Sequence, residues 1–103
     1  MNKELFINEV KDSCLRSERV LLKKEPEYTI DGDRLGHFKR AGAAQNKNPA
    51  DALVGEAVKH FISVCDMSKN PTYYSLKQWR EKTTDLRNYT LLLDALLKDL
   101  GVV

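Results

Sequence analysis

The stretch Ser75-Leu76-Lys77-Gln78-Trp79-Arg80-Glu81-Lys82-Thr83-Thr84-Asp85-Leu86-Arg87-Asn88-Tyr89-Thr90-Leu91-Leu92-Leu93-Asp94-Ala95-Leu96-Leu97-Lys98-Asp99-Leu100-Gly101 decides the fold. Ser75 and Gln78 have capping-box spacing at its start, Gly101 suits a helix C-cap, and no Gly or Pro lies between them. Trp79, Leu86, Leu93 and Leu100 recur every seventh residue, a seam suited to packing along another helix. The run from Tyr89 to Leu97 is apolar on nearly every side, which predicts deep enclosure. One oddity stands out: at 100° per residue, Glu81, Asp85 and Asn88 share a face with Leu92, so acids continue an apolar stripe. A carboxylate at the edge of an enclosure needs a cation, a donor or a proton, because an unpaired buried charge costs on the order of 3–5 kcal/mol.

Working back towards the N-terminus, Asn70-Pro71 stops a helix that opens at Asn48-Pro49-Ala50-Asp51. There Asn48 can cap first-turn amides, Pro49 needs no donor, and Asp51 suits the positive helix end. The apolar residues predict a core face of Leu53, Ala57, Phe61 and Val64 with Val54, Val58 and Cys65. Glu56, Lys59, Ser63 and Asp66 form the opposite, polar stripe, with His60 at its flank. A short helix is expected from Arg34 to about Ala44, capped by Asp33, with Leu35 and Phe38 facing inward and His37, Lys39 and Arg40 outward. The segment from Glu25 to Asp33, framed by Pro26 and Gly32, reads as a loop. The first helix spans about Asn2 to Lys24, with Phe6, Val10, Cys14 and Leu21 on one stripe, Ser17 filling a gap, and Leu15 and Leu22 opposite. Two apolar stripes on one helix suggest contact on both sides, one of them with a second copy.

No segment alternates with period two, and no repeat is visible. The expected fold is therefore all-α: an antiparallel bundle of three long helices and one short helix, or half of an intertwined dimer. A single domain follows from 103 residues, and 42% hydrophobic content excludes a disordered tail. A net charge of +2 lacks the basic excess that marks nucleic-acid binding, so nucleic acid is not expected as a partner. Nor do the N-terminal residues hold a signal peptide or a membrane span, which makes the cytoplasm the expected compartment. Cys14 and Cys65 lack zinc spacing and are expected to be reduced and buried. Phosphate-loop and nucleophile-elbow motifs are absent.

The chemistry-bearing groups lie on the last two helices. Glu81 and Asp85, one turn apart, could grip a hard divalent ion, or simply charge the exposed start of a helix. Lys59, His60 and Asp66 face them as candidates or as a solvated stripe.

Three strings carry a resemblance: Tyr28-x-x-Asp31-x-Asp33-Arg34-Leu35-x-x-Phe38-Lys39, Lys59-His60-x-x-Ser63-x-x-Asp66-Met67, and Trp79-x-Glu81-Lys82-x-x-Asp85-x-x-Asn88-Tyr89. Over about Glu25 to Leu97 the chain resembles small uncharacterised proteins of phages and prophages of Gram-positive bacteria. Those look like distant relatives of the MazG-like all-α nucleoside triphosphate pyrophosphatases, whose helices pair across a dimer and hold Mg²⁺ between acidic residues. The resemblance implies a homodimer, with Asp66, Glu81 and Asp85 as ligands of Mg²⁺ and Lys59 and His60 in catalysis. It also implies Arg34, Lys59, Asn88 and Tyr89 on a nucleotide, and release of pyrophosphate. The sequence departs from the family pattern in two places: Glu81-x-x-x-Asp85 is one residue wider, and Lys59-His60 stands where acids are expected. A Lys there repels a metal ion and attracts phosphate. The competing expectation is a non-catalytic phage protein that binds a host protein.

Overall fold

A computed structural model describes residues 1–103. The chain is all-helical: α1 (Lys3–Tyr28), α2 (Gly36–Ala44), α3 (Pro49–Ser68) and α4 (Leu76–Asp99), with a single 3₁₀ turn at Pro71–Tyr73. The caps act where the sequence places them. Asn48 Oδ1 accepts from the Asp51 amide at 2.9 Å. Ser75 Oγ accepts from the Gln78 amide at 3.1 Å while Gln78 Oε1 accepts from the Ser75 amide at 2.8 Å, completing the box. Gly101, at φ +80°, ends α4: its amide donates to the Lys98 carbonyl at 3.1 Å and the Val102 amide to Leu97 at 3.0 Å.

Two boundaries differ from expectation. α1 continues through Pro26 to Tyr28, because a proline so close to the end removes only one backbone bond, and the next turn closes on the Pro26 carbonyl from the Thr29 amide at 3.3 Å. α2 begins at Gly36, while Asp33 caps the turn before it, its Oδ1 accepting from the Leu35 amide at 3.0 Å. Between α1 and α2 the chain reverses at Asp31-Gly32, both with positive φ (51° and 80°), closed by paired Ile30 and Asp33 backbone bonds of 3.0 Å.

α3 and α4 form an antiparallel hairpin, with His60 against Tyr89 at one level and Leu53 with Leu92 and Leu96 at another. α2 closes the open end of this hairpin. Its Phe38 is completely buried and joins Leu35, Leu53, Leu92 and Leu96 in the core. Leu21 and Tyr28 of α1 pack on that cluster, the Tyr28 and Phe38 rings stacked at 5.4 Å. Only α1's C-terminal half reaches the core; Ser17 is its one fully buried residue, and α1 packs on α4 and α2 but not on α3.

The face expected to form the core of α3 is corrected by the structure. Of the expected residues only Leu53 is fully buried, joined by Ala52 and Met67; Phe61, Val54, Val58 and Cys65 are exposed and Ala57 and Val64 half-buried. The hairpin places Glu56 and His60 towards the other helices, which turns the richer apolar stripe outward. Cys14 is exposed as well, so neither cysteine is buried, and both stand among unpartnered apolar side chains. α4's enclosure is narrower than its composition predicts: Leu92 and Leu96 are buried, but Leu91 and Leu100 are exposed. No helix is long and apolar enough to cross a membrane.

Candidate functional site

The buried stripe of α4 begins polar and ends apolar: Thr84, Asn88, Leu92 and Leu96 succeed one another every fourth residue. Where α1 crosses the polar half, Asp85 becomes the meeting point of three helices. Lys24 Nζ of α1 donates to Asp85 Oδ1 at 3.3 Å, and His60 Nδ1 of α3 lies 3.9 Å from Oδ2. The His60 ring packs at 4.9 Å on that of Tyr89. Lys24, Tyr28, His60, Asp85, Asn88 and Tyr89 line a hollow of about 50 Å³ beside the core, floored by Leu21 and Leu92. Burial pushes the Tyr89 hydroxyl up to about 12, reinforced by the nearby Glu56 carboxylate, by Tyr28 once ionised, and by the Asp85 carboxylate. Tyr28 is raised for the same first reason, burial. Asn88 is buried and its Oδ1 accepts no hydrogen bond.

Lys24 and Asp85 are also part of the wall of a cleft of about 560 Å³ between α1 and α4. The cleft is lined by five cationic side chains, Arg16, Arg19 and Lys24 from α1 and Lys77 and Arg80 from α4, against two carboxylates, Glu81 and Asp85. Of the five, only Lys24 and Arg80 have carboxylate partners, Asp85 at 3.3 Å and Glu9 at 3.8 Å. The seam beneath also holds polar groups with no partner: Thr84 Oγ1 and Ser17 Oγ, both almost fully buried, and Arg80 Nε.

The structure thus brings together His60, Asp85, Asn88 and Tyr89 in the hollow and Glu81 in the cleft. The other three sequence candidates lie elsewhere in the protomer. Lys59 is exposed and lines neither cavity; Asp66 is exposed beside Lys69 at 3.8 Å; Arg34 is exposed and pairs with Glu25. Conversely, Arg16, Arg19, Lys24, Lys77 and Arg80 escape a sequence reading, because charged residues on a helix surface are ordinary until a second helix is seen to face them. The basic group expected on α2 is partly spent on the fold: Lys39 Nζ bonds Asp33 at 2.7 Å and Asp99 at 2.6 Å, and His37 meets Glu56 at 2.9 Å.

The three carboxylates that the resemblance implies for Mg²⁺ are split within the protomer: Glu81 and Asp85 line the cleft while Asp66 stands apart beside Lys69, and nowhere do three or more His, Cys, Asp or Glu side chains come together. Asp85, the most enclosed carboxylate of the site, already faces Lys24 and His60. Compared with family models, curated proteins and solved structures, the chain matches none.

Proposed function

We propose that this protein binds a nucleoside triphosphate between α1 and α4, as a phage-type, MazG-like cytoplasmic domain. The observation that carries this reading is the meeting of Lys24, His60, Asp85, Asn88 and Tyr89, from three helices, in a hollow that shares its Lys24–Asp85 wall with a cationic cleft. A hollow of about 50 Å³ has room for a hydroxyl or an amino group of the nucleoside, with Asn88 and Asp85 to bond it. The wider cleft has room for the phosphates and the cations to hold them. Binding, not hydrolysis, is the reading, because Asp66, the third carboxylate that the resemblance implies for the metal, lies apart from Glu81 and Asp85, exposed beside Lys69.

Calorimetric titration with a panel of deoxynucleoside triphosphates tests it. Saturable heat with at least one of them is expected, lost in Asn88→Leu with helicity retained by circular dichroism. No heat across the panel removes the reading and favours the interaction protein.

Exposed apolar surface favours a second role, self-association. The accessible surface is 7466 Å², whereas a compact monomer of 11.8 kDa exposes about 5,900 Å². The excess, roughly 1,500 Å² per chain, is what each protomer of a large homodimer covers. The radius of gyration, 15.6 Å against about 13 Å for this length, agrees. Two groups of uncovered apolar residues lie on helices that do not touch within the chain, Leu5, Phe6 and Val10 on α1 and Val54, Val58, Phe61 and Ile62 on α3. A twofold pair covers both at once, each copy meeting the other's α1 or α3. Light scattering should give the mass of two chains for the native protein and of one for Phe61→Glu; a native mass of one chain at every concentration removes this role.

A further inference from the structure

We infer that the α1/α4 cleft takes its phosphates bare, with protein cations standing where Mg²⁺ stands in other triphosphate sites. The inference rests on the nucleotide reading only for the identity of what the phosphates are attached to.

The formal charge of the lining is five cations less two carboxylates, or +3. Lys24 is already offset by Asp85 at 3.3 Å, which leaves Arg16, Arg19 and Lys77 in no ion pair, with Glu81 one turn from Lys77, and Arg80 only loosely held by Glu9 at 3.8 Å. These groups project from two different helices into one cleft of about 560 Å³, which has room for a phosphate chain. Guanidinium groups bond phosphate oxygens in pairs, and a lysine adds a point charge. Such a lining is suited to the full negative charge of an uncomplexed polyphosphate. Magnesium on the ligand cancels part of that charge, and Glu81 is the one carboxylate of the lining free to receive it, because Asp85 already faces Lys24 and His60. Glu81 decides between the two arrangements. It is exposed, lines the cleft, and forms no ion pair of its own. Facing bare phosphates it is a repulsive charge; facing a phosphate-borne Mg²⁺ it is a ligand.

The test is titration of the native protein with inorganic tripolyphosphate, and with the same panel of nucleotides, once in EDTA and once in excess Mg²⁺. Tripolyphosphate is expected to bind in EDTA and to bind more weakly with Mg²⁺. Arg19→Gln should lose roughly tenfold in affinity in EDTA, the cost of one charge-assisted bond. Glu81→Gln should bind several-fold more tightly. Circular dichroism confirms that both variants, altered on an open wall, keep the native helicity. Binding that is absent in EDTA, restored by Mg²⁺ and weakened in Glu81→Gln overturns the inference, and so does the absence of tripolyphosphate binding in both conditions. The two readings separate cleanly. Tripolyphosphate bound in EDTA with no heat from any nucleotide keeps the bare-phosphate cleft and removes the nucleotide. A nucleotide bound only with Mg²⁺ does the reverse.

Discussion

Lys24 and Asp85 join α1 to α4 through a 3.3 Å hydrogen-bonded ion pair, on the wall shared by the hollow and the cleft. Both side chains keep some solvent contact, so the pair stabilises modestly, and Asp85→Asn should cost about 0.5–1 kcal/mol. Urea unfolding of native and variant chains measures this. The gap should narrow as salt is raised, because screening weakens a half-exposed pair; a gap that salt does not touch points to lost packing instead.

The Tyr89 hydroxyl, pushed up to about 12 from an ordinary 10.0, makes an alkaline prediction. A raised pKa means that the folded chain keeps its proton when the unfolded chain has released it. The stabilisation is complete below about pH 10 and drains away as pH climbs from 10 to 12. Unfolding followed across that range should steepen with pH in the native protein and less so in Tyr89→Phe. The difference spectrum of the two proteins should place the missing phenolate near the top of the range.

Two glycines should respond to alanine with opposite signs. A Cβ at Gly42 would come within 2.8 Å of the Lys47 carbonyl oxygen and 3.1 Å of Asn48 backbone, where the chain folds over on leaving α2. Backbone cannot step aside as a side chain can, so Gly42→Ala should destabilise by about 1–3 kcal/mol. At Gly55, mid-α3, a Cβ meets nothing, and alanine should stabilise by about 0.5–1 kcal/mol through helix propensity. Thermal melts of the pair, at one protein concentration, check both signs.

Phe38 is the largest side chain with no exposed surface, and it anchors a central cluster of five buried apolar residues. Phe38→Ala should cost about 3–5 kcal/mol, most of the stability a small domain commands. Near-ultraviolet circular dichroism should collapse while far-ultraviolet helicity falls less; a variant that melts like the native chain would contradict the assigned core.

Much of the helical plan was legible in the sequence because capping and chain reversal are settled within four or five residues. Asn48 and Ser75 announce their helices and Gly101 ends one, each by a hydrogen bond to a near neighbour. Asp85 at the rim of the enclosure, with Asn88 and Leu92 on its stripe, was likewise readable from helical periodicity alone. Pro26 misleads because proline's effect depends on how much helix lies beyond it, and here almost none does.

Only the tertiary structure decided which side of α3 turns inward and which cations face the acids. Periodicity shows that a helix has an apolar stripe but not that its partner lies there; in α3 the stripe of Val58, Phe61 and Ile62 is left outside while His60 takes the inner place beside Tyr89 and Asp85. Arg16, Arg19 and Lys24 meet Lys77, Arg80, Glu81 and Asp85 only because α1 crosses α4 there. Local hydrogen bonding determines where helices begin and end, and that information is held in adjacent residues. Which surfaces close on one another depends on the packing of residues some sixty positions apart, and no short window of sequence carries it.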